Sequence, residues 1–585
     1  MAEGKKLTGY PSIDKPWLKY YDEAQINSPL TESTLYEYLW DCNKHTLSDY
    51  AINYFGHKIT YQKLFSMIDK VARAFIAIGV KEGDIVPVVT LSTISSVVCF
   101  YALNKIGAVS DYLNVLSEEK DFEAFFKEVN AKIVVTLDLF AGKVVDAAEK
   151  SGVNTVITVG VDYEMPAIVK LGYRLKIAGK LPTMPASGIL MSWNAFLERA
   201  SEVKRVDRKK DPQKMCMIAH TGGTTGVPKA VILDDISMNA VAAQQCSIYK
   251  KLSAYEKRAT FLQVIVPFVV YGILTCTHMP LCMGWCLALI PKFEEKDWYN
   301  YLKKYNVSYT LAVPSYVTCM MDDPKLKEFD LSHLRVLGVG GDGITESLEL
   351  EMNEFLSSHR SASQLEKGYG MTEVCAAGLI TFPSCNRVGS VGIPLPKNNL
   401  MIYDCEAGRE LPYKEVGEVC LHCPSRMQGY MHNENETNSL FELHADGREW
   451  LHTGDLGYVD EDGFLFLVGR IKRIIMTTGN GVTYKVFPNM VEKILDAQES
   501  VVQSCVVGAK RGSDLVLCAF VSVSKADMIK TEQIESGLRK ECAKKLPEYA
   551  RPMFYRFYES LPLTAAGKID YRALEEMAKE ETPHA

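Results

Sequence analysis

The chain has no excess of positive charge. Lys and Arg number 65 against 72 Asp and Glu, a formal net charge of −7 over 585 residues. A protein that grips nucleic acid needs a basic stripe to neutralise phosphates, so that class is excluded. Paired cysteine spacing is also missing: sixteen cysteines are scattered along the chain, which reads as reduced intracellular thiols rather than a disulfide framework. One Cys-x-x-Cys occurs, Cys420–Cys423 around His422. A structural zinc site needs a second ligand pair. None follows at matching spacing and there is no His-Glu-x-x-His, so two cysteines beside a strand over 418–422, and no zinc, are expected. The first thirty residues lack an apolar h-region, which predicts a cytoplasmic chain. Between Arg258 and Lys292 there is no charged residue, a length that could span a bilayer. Gln263, Pro267, Thr275, Thr277, His278 and Pro280 interrupt it, and a buried strand–helix–strand segment explains it better. Internal repeats and low-complexity tracts are absent.

What is present is ordinary globular composition, 47% hydrophobic and 23% charged, in a length that implies several domains. Strands are expected over 85–91, 131–137, 216–219, 309–313 and 334–339, with a helix over 94–106. Such alternation predicts an α/β fold with largely parallel sheets flanked by helices. After about Phe382 short strands split by Asp446-Gly447 and Asp462-Gly463 turns predict a β-rich subdomain. The last hundred or so residues read as a small α+β unit.

The strongest chemical signal runs from His220 to Ala230. An apolar strand enters Thr221, Gly222, Gly223, Thr224, Thr225, Gly226 and Lys229. Glycines let backbone N–H groups converge on an anion, hydroxyls add donors and lysine adds charge. That is a phosphate cradle, though not the Gly-x4-Gly-Lys-[Ser/Thr] loop. A rival reading lies downstream. Gly338-Val-Gly340-Gly-Asp-Gly343 matches Gly-x-Gly-x-x-Gly between a strand and a helix over 346–355, with Glu366 near the distance of a ribose-binding acid. The stretch 361–365 has only one large apolar residue, Leu365, and makes a poor buried parallel strand. A dinucleotide-dependent oxidoreductase is therefore the second choice.

The loop resembles the signature of the adenylate-forming superfamily, and further motifs follow in order. Lys367-Gly-Tyr-Gly-Met-Thr-Glu373 resembles its GYGxTE motif and Trp450–Asp455 its TGD motif. Gly469-Arg-Ile-Lys472 with Gly479-Asn-Gly481 resembles its hinge segment, and Leu563–Lys568 its catalytic-lysine motif. The resemblance is greatest to fatty acyl-CoA synthetases. It implies an N-terminal acid- and ATP-binding domain over 1–469, a hinge at 470–473 and a mobile lid over 474–585.

For function the resemblance implies an ATP-dependent acid:CoA ligase, which converts a carboxylic acid to acyl-AMP and then to its CoA thioester. Thr221–Lys229 would embrace the triphosphate and Tyr369 would stack near adenine with Gly370 beside it. Thr372 would contact the α-phosphate, and Glu373 with Thr225 would hold Mg²⁺. Asp455 would accept the ribose hydroxyls, with Arg470 close by, and Lys568 would stabilise the adenylation transition state. Lys472 would be the pivot, and Gly479 and Gly481 would border the CoA channel. Gly341, Asp342 and Gly343 would lie along the nucleotide, and Val269, Val270 and Gly368 would line the acyl pocket.

Ala230 and Gly222 stand where the family often has glycine and serine. Val269 replaces a frequent histidine, and Arg473 stands at an often acidic position. Seventeen residues follow Lys568, so a free acceptor is expected, either CoA or a separate carrier protein. The basic, apolar segment Tyr173–Lys180 could lie on an anionic membrane surface or form a short helix covering the core. A medium- or long-chain fatty acid is the expected acid, and the chain is expected to be a monomer or homodimer.

Overall fold

The structure, a computed structural model, describes residues 7–177, 184–206, 211–221, 229–251, 258–479, 482–511, 514–563 and 569–580. Its large N-terminal domain is built on two extended sheets. One runs, in spatial order, through Ile393–Pro394, Leu379–Ile380, Leu365–Tyr369, Val336–Val339, Tyr309–Ala312, Thr260–Gln263, Cys286–Leu289, Tyr50–Tyr54 and His57–Thr60. From Leu365–Tyr369 to Tyr50–Tyr54 every neighbour is parallel. The other runs through Gly429–Tyr430, Ala230–Asp234, Met215–His220, Val109–Tyr112, Ile85–Val89, Ile133–Leu137, Thr155–Val159 and Leu190–Ser192. Its last six strands are also parallel.

Parallel strands need crossover helices, and two of these lie between the sheets. Ile94–Lys105 buries eleven of its twelve residues, and Asp235–Tyr249 is buried on nearly all sides. Helices buried on all sides, polar residues included, belong in a middle layer. One hydrophobic core joins both helices to the inner faces of both sheets. The expected strands and the helix over 94–106 are all present, shifted by a few residues at their ends.

The charge-free segment folds as strand Thr260–Gln263, a wide helical turn Tyr271–His278 continuing to Cys282, and strand Cys286–Leu289. Two of its polar side chains pair inside it: Gln263 Nε2 donates to Thr277 Oγ1 at 2.8 Å, and Thr277 donates to the Gly272 carbonyl at 2.9 Å. No helix among the described residues is long and apolar enough to cross a membrane.

Beyond Phe382 an antiparallel sheet is built from Asn399–Asp404, Gly417–His422, Glu449–Val459 and Leu465–Arg470, with short edge strands. Gly447 and Gly463 take φ +74° and +96° at the two expected turns. The smaller C-terminal domain pairs Gln503–Arg511 with Asp514–Ser522 and adds Phe554–Tyr558, covered by helices Pro488–Asp496, Thr531–Lys545 and Tyr571–Glu580. Its buried side chains form clusters separate from the main core. Ion pairs Lys485–Glu406 (2.5 Å) and Lys493–Glu346 (3.7 Å) reach the large domain.

In helix Ala167–Ile177, Val169 and Tyr173 pack on the core, while Ile168, Leu171 and Leu175 face outward, 62–87% exposed. Lys180 lies outside the described residues.

Candidate active site

The phosphate-cradle candidate is anchored by pairing at its base. Strands Met215–His220 and Ala230–Asp234 are antiparallel, with His220 opposite Ala230. Thr221 N–H donates to the Lys229 carbonyl at 3.0 Å, and Lys229 N–H returns to Thr221 Oγ1 at 3.1 Å. Gly222, Gly223, Thr224, Thr225 and Gly226 lie outside the described residues. Beneath the loop, His220 Nε2 meets the fully buried Asp111 carboxylate at 2.8 Å. Burial works against a charged His220, but the Asp111 carboxylate outweighs it and the imidazole pKa is raised.

Lys229 Nζ pairs with Glu436 at 2.5 Å and lies 4.7 Å above the Tyr430 ring. Tyr430 pairs with Val231 across the sheet edge, and its hydroxyl donates to Glu373 Oε1 at 2.6 Å. One buried tyrosine therefore joins the lysine of the cradle to the carboxylate of the next motif. The Lys229–Glu436 pair is partly exposed, 36% and 45%, and such pairs contribute about 0–1 kcal/mol. An incoming anion can displace Glu436 at little cost.

Strand Leu365–Tyr369 delivers the second motif. The buried Lys367–Glu349 ion pair anchors it from below. The chain then reverses at Gly370, where a Cβ would lie 1.9 Å from the Ala376 carbonyl oxygen, so no other residue fits. Thr372 and Glu373 follow on a single 3₁₀ turn, Thr372–Val374, with Glu373 buried and Thr372 half-buried. The Glu373 carbonyl accepts from Met427 N–H at 2.8 Å.

The third motif meets the second directly. Tyr369 O–H donates to Asp455 Oδ2 at 2.7 Å, and Arg470 Nε contacts Asp455 Oδ1 at 2.9 Å. Asp455 and Arg470 face each other on strands Glu449–Val459 and Leu465–Arg470. A carboxylate offers about four acceptor positions, so two remain for a diol. Burial, with the Asp455 charge behind it, pushes the Tyr369 phenol well above its ordinary pKa, keeping it a neutral donor. The sequence reading gave Tyr369 only a stacking role.

Lys472 sits exposed in the 3₁₀ turn Ile471–Arg473 that leaves the large domain. Arg473, in the same turn, is not a free charge: it pairs with Glu492 at 2.6 Å and lies 3.8 Å over the Tyr571 ring. Gly479 ends strand Ile475–Gly479 opposite Val482. Gly481 and Lys568 lie outside the described residues.

Along the expected acyl pocket Val270 is buried and Val269 half-buried, both leading into the turn that carries Tyr271. A Cβ on Gly340 would lie 3.4 Å from the Gly368 carbonyl oxygen and 3.5 Å from the Tyr271 ring. Tyr271, held by a 3.2 Å hydrogen bond from its hydroxyl to the Ala312 carbonyl, therefore packs against Gly340, a neighbour the sequence reading did not name. A Cβ at Gly343 meets nothing within 4 Å, and Gly341, Asp342 and Gly343 are exposed.

The Gly-x-Gly-x-x-Gly reading is explained differently. A parallel strand does follow the helix, but it begins at Leu365, beyond the apolar-poor stretch. Glu366 lies inside that strand, 4% exposed, accepting from Tyr249 O–H at 3.2 Å, and burial raises its pKa well above the carboxylate range. A Cβ on Gly338 would strike Leu311 at 2.4 Å, so that glycine serves sheet packing.

Tyr430 and Glu436 were also missed. Tyr430 is placed by its pairing with strand Ala230–Asp234 and Glu436 by the helix Glu434–Leu440 that follows it, long-range placements which no local pattern signals.

Comparison with known proteins agrees with this geometry. Residues 39–431 match the AMP-binding enzyme family and residues 490–568 the AMP-binding enzyme C-terminal domain. The chain is 27% identical over 567 residues to the long-chain-fatty-acid–CoA ligase of Bacillus subtilis (strain 168), covering 96% of this chain and 97% of the relative. It is 28% identical over 513 residues to probable 4-coumarate–CoA ligase 2 of Dictyostelium discoideum, covering 86% and 87%. In fold it matches the crystal structure of ATP-bound MatB from Rhodopseudomonas palustris, with TM-score 0.79, 23% identity and coverage of 94% and 99%. Matched by family models over residues 39–431 and 490–568, the chain belongs to the AMP-binding, adenylate-forming enzyme family.

Proposed function

We propose that this protein is an AMP-forming acid:CoA ligase whose acid is a medium- or long-chain fatty acid. The observation that carries the ligase reading is the bridge through Tyr430. It holds Lys229 over the face of one ring and Glu373 at its hydroxyl, with Tyr369, which donates to Asp455, on the strand just before Glu373. Two anions and a nucleotide must be held together in this reaction, and the site is built from cations, a buried carboxylate and a diol acceptor.

A carboxylate is a poor electrophile because oxide would have to leave. In the first step its oxygen attacks the α-phosphorus of ATP, the bond to the β-phosphate oxygen breaks, and pyrophosphate departs. In the second, the CoA thiol gives up its proton to solvent, its sulfur attacks the acyl carbon, and AMP leaves with the C–O electron pair. Catalysis here is positioning plus charge stabilisation. Lys229 would leave Glu436 for the phosphates, Asp455 would hold the ribose, Thr372 would contact the α-phosphate, and Lys568 would neutralise charge in the adenylation transition state. Glu373 keeps Oε2 outside its Tyr430 bond, a hard oxygen suited to Mg²⁺. With Thr225 it would hold that ion, which supplies charge neutralisation when bound. The segment 474–585 would act as a lid turning about 470–473, bringing first Lys568 and then Gly479–Gly481 to the site.

The acid is inferred from the fatty-acid ligase relative and from the aliphatic pair Val269–Val270 beside Tyr271. Each buried methylene contributes roughly 0.8 kcal/mol, nearly fourfold in affinity. Pyrophosphate release should be measured with acetate, a hydroxycinnamate and fatty acids of about 6 to 16 carbons, with and without CoA. Apparent affinity rising with chain length supports the fatty-acid reading. If acetate or the hydroxycinnamate outpaces every fatty acid, that reading fails. If no acid in the panel releases pyrophosphate, the ligase reading fails with it.

A further inference from the structure

The β-rich subdomain gathers metal-ligating side chains on one sheet face, one of them, His452, on the same strand as Asp455, and all distinct from the residues assigned to ATP. Glu442 lies on strand Phe441–Leu443 and His444 just past its end, in the turn to Glu449–Val459, and both reach His452. Strand Phe441–Leu443 pairs with Glu449–Val459, placing Glu442 opposite Trp450 and diagonal to His452. On the other flank His452 faces Cys420, and Glu418 shares that face. His444 Nε2 lies 3.0 Å from His452 Nε2, and Glu442 Oε2 lies 3.4 Å from His452 Nε2. All three ligand atoms fall within 4.8 Å of one another. Two ligands about 2.05 Å from a tetrahedral zinc ion are separated by about 3.3 Å, so these spacings already suit one ion.

The outer arrangement points the same way. His452 Nδ1 is 2.8 Å from Glu418 Oε2. Glu418 in turn accepts from Gly454 N–H at 2.8 Å through Oε1 and from the Cys405 thiol at 2.9 Å through Oε2. A carboxylate that takes the Nδ1 proton fixes the tautomer and leaves the Nε2 lone pair free for a metal. His444 is 8% exposed, and its ring lies 4.3 Å from the Tyr403 ring. Its Nδ1 is buried with no hydrogen-bond partner, so its polar contact is made only at the Nε2 that faces His452. The Glu442 side chain is 60% exposed, which leaves an approach from solvent and room for a water as fourth ligand.

We propose that Glu442, His444 and His452 bind one zinc-type divalent ion, with Glu418 orienting His452 from behind. Two imidazoles and a carboxylate suit a borderline-soft ion over Mg²⁺ or Ca²⁺. The ion would pin strand Phe441–Leu443 to Glu449–Val459, the strand that also carries Asp455, and so brace the segment proposed to hold the ribose. Linear spacing hides the set, because its members lie on two strands and in the turn between them and belong to no Cys-x-x-Cys.

The test uses the full-length, untagged, chelator-stripped protein titrated with Zn²⁺ by calorimetry, and with Co²⁺ read by visible absorption. One equivalent of Zn²⁺ and a tetrahedral Co²⁺ spectrum are expected. His444→Gln should weaken Zn²⁺ binding by about 100-fold or more and Glu418→Gln by about 10–100-fold. Glu442→Gln, at an exposed position where folding is safe, should weaken it by at least about 10-fold. Cys405→Ser should bind as wild type. The proposal is overturned if the wild-type chain takes up no stoichiometric Zn²⁺, or if Glu442→Gln binds unchanged. Loss of binding in Cys405→Ser overturns it too, since the ion would then sit on the neighbouring Cys405–Glu418–His452 set.

Discussion

Tyr369→Phe isolates one hydroxyl at the meeting point of two motifs. The ring, and with it any stacking on adenine, is kept. The lost group is a buried O–H donating to Asp455 at 2.7 Å, between residues 9% and 7% exposed. A hydrogen bond to a charged acceptor contributes about 1.5–3 kcal/mol net, and each 1.4 kcal/mol is tenfold in an equilibrium constant. If the whole interaction served nucleotide binding, affinity would fall about 10- to 100-fold. Arg470 still holds the other carboxylate oxygen at 2.9 Å, so the lower end is expected: KM for ATP up about tenfold, with a smaller change in kcat. The phenol stays neutral in the buried site, so the effect should be flat between about pH 6 and 9. Steady-state pyrophosphate release at saturating acid reads the change. Combination with Asp455→Asn should be non-additive by about 1–3 kcal/mol, as expected for contacting residues. An unchanged KM for ATP, or full additivity in the cycle, refutes the assignment of Tyr369 as the group that orients Asp455.

Lys568→Ala should slow adenylation by roughly 10²–10³-fold, the scale for losing a charge-stabilising donor, and leave thioester formation from pre-made acyl-AMP far less affected; equal losses in both half-reactions sink domain alternation. Lys472→Pro fixes φ near about −65° in the turn Ile471–Arg473 and should preserve one half-reaction while abolishing the other, whereas wild-type rates for both would show that the pivot lies elsewhere. His220 carries a raised pKa because the Asp111 carboxylate, helped by Glu128, outweighs burial. Its contribution to stability is therefore full below about pH 6.5 and is lost as pH rises through the raised value. The stability gap between wild type and His220→Gln, followed by denaturant titration, should shrink with rising pH; a gap that widens contradicts the pairing.

Much of the architecture was written locally. The apolar runs over 85–91 and 131–137 were legible as strands and the stretch after Ile94 as a helix, because their periodicity is local; that the helix lies buried between the two sheets was decided by packing. The Asp-Gly turns of the β-rich subdomain were legible for the same reason, since positive φ is a property of single residues. Order along the chain also carried the family signature from Thr221 to Lys568. What sequence could not decide was which distant groups would touch. Tyr430 reaches Glu373 and Lys229 only because a two-residue strand adds to the edge of the second sheet. Tyr369 found a hydroxyl role in place of a purely aromatic one because Asp455 arrives from another sheet. Glu366, plausible as a ribose acid by spacing, was removed from that role by being buried against Tyr249. Local pattern fixes which face of an element is apolar, but the partner across a sheet edge or domain seam is set by the packing of the whole chain, and these side chains acquired their chemistry from that packing.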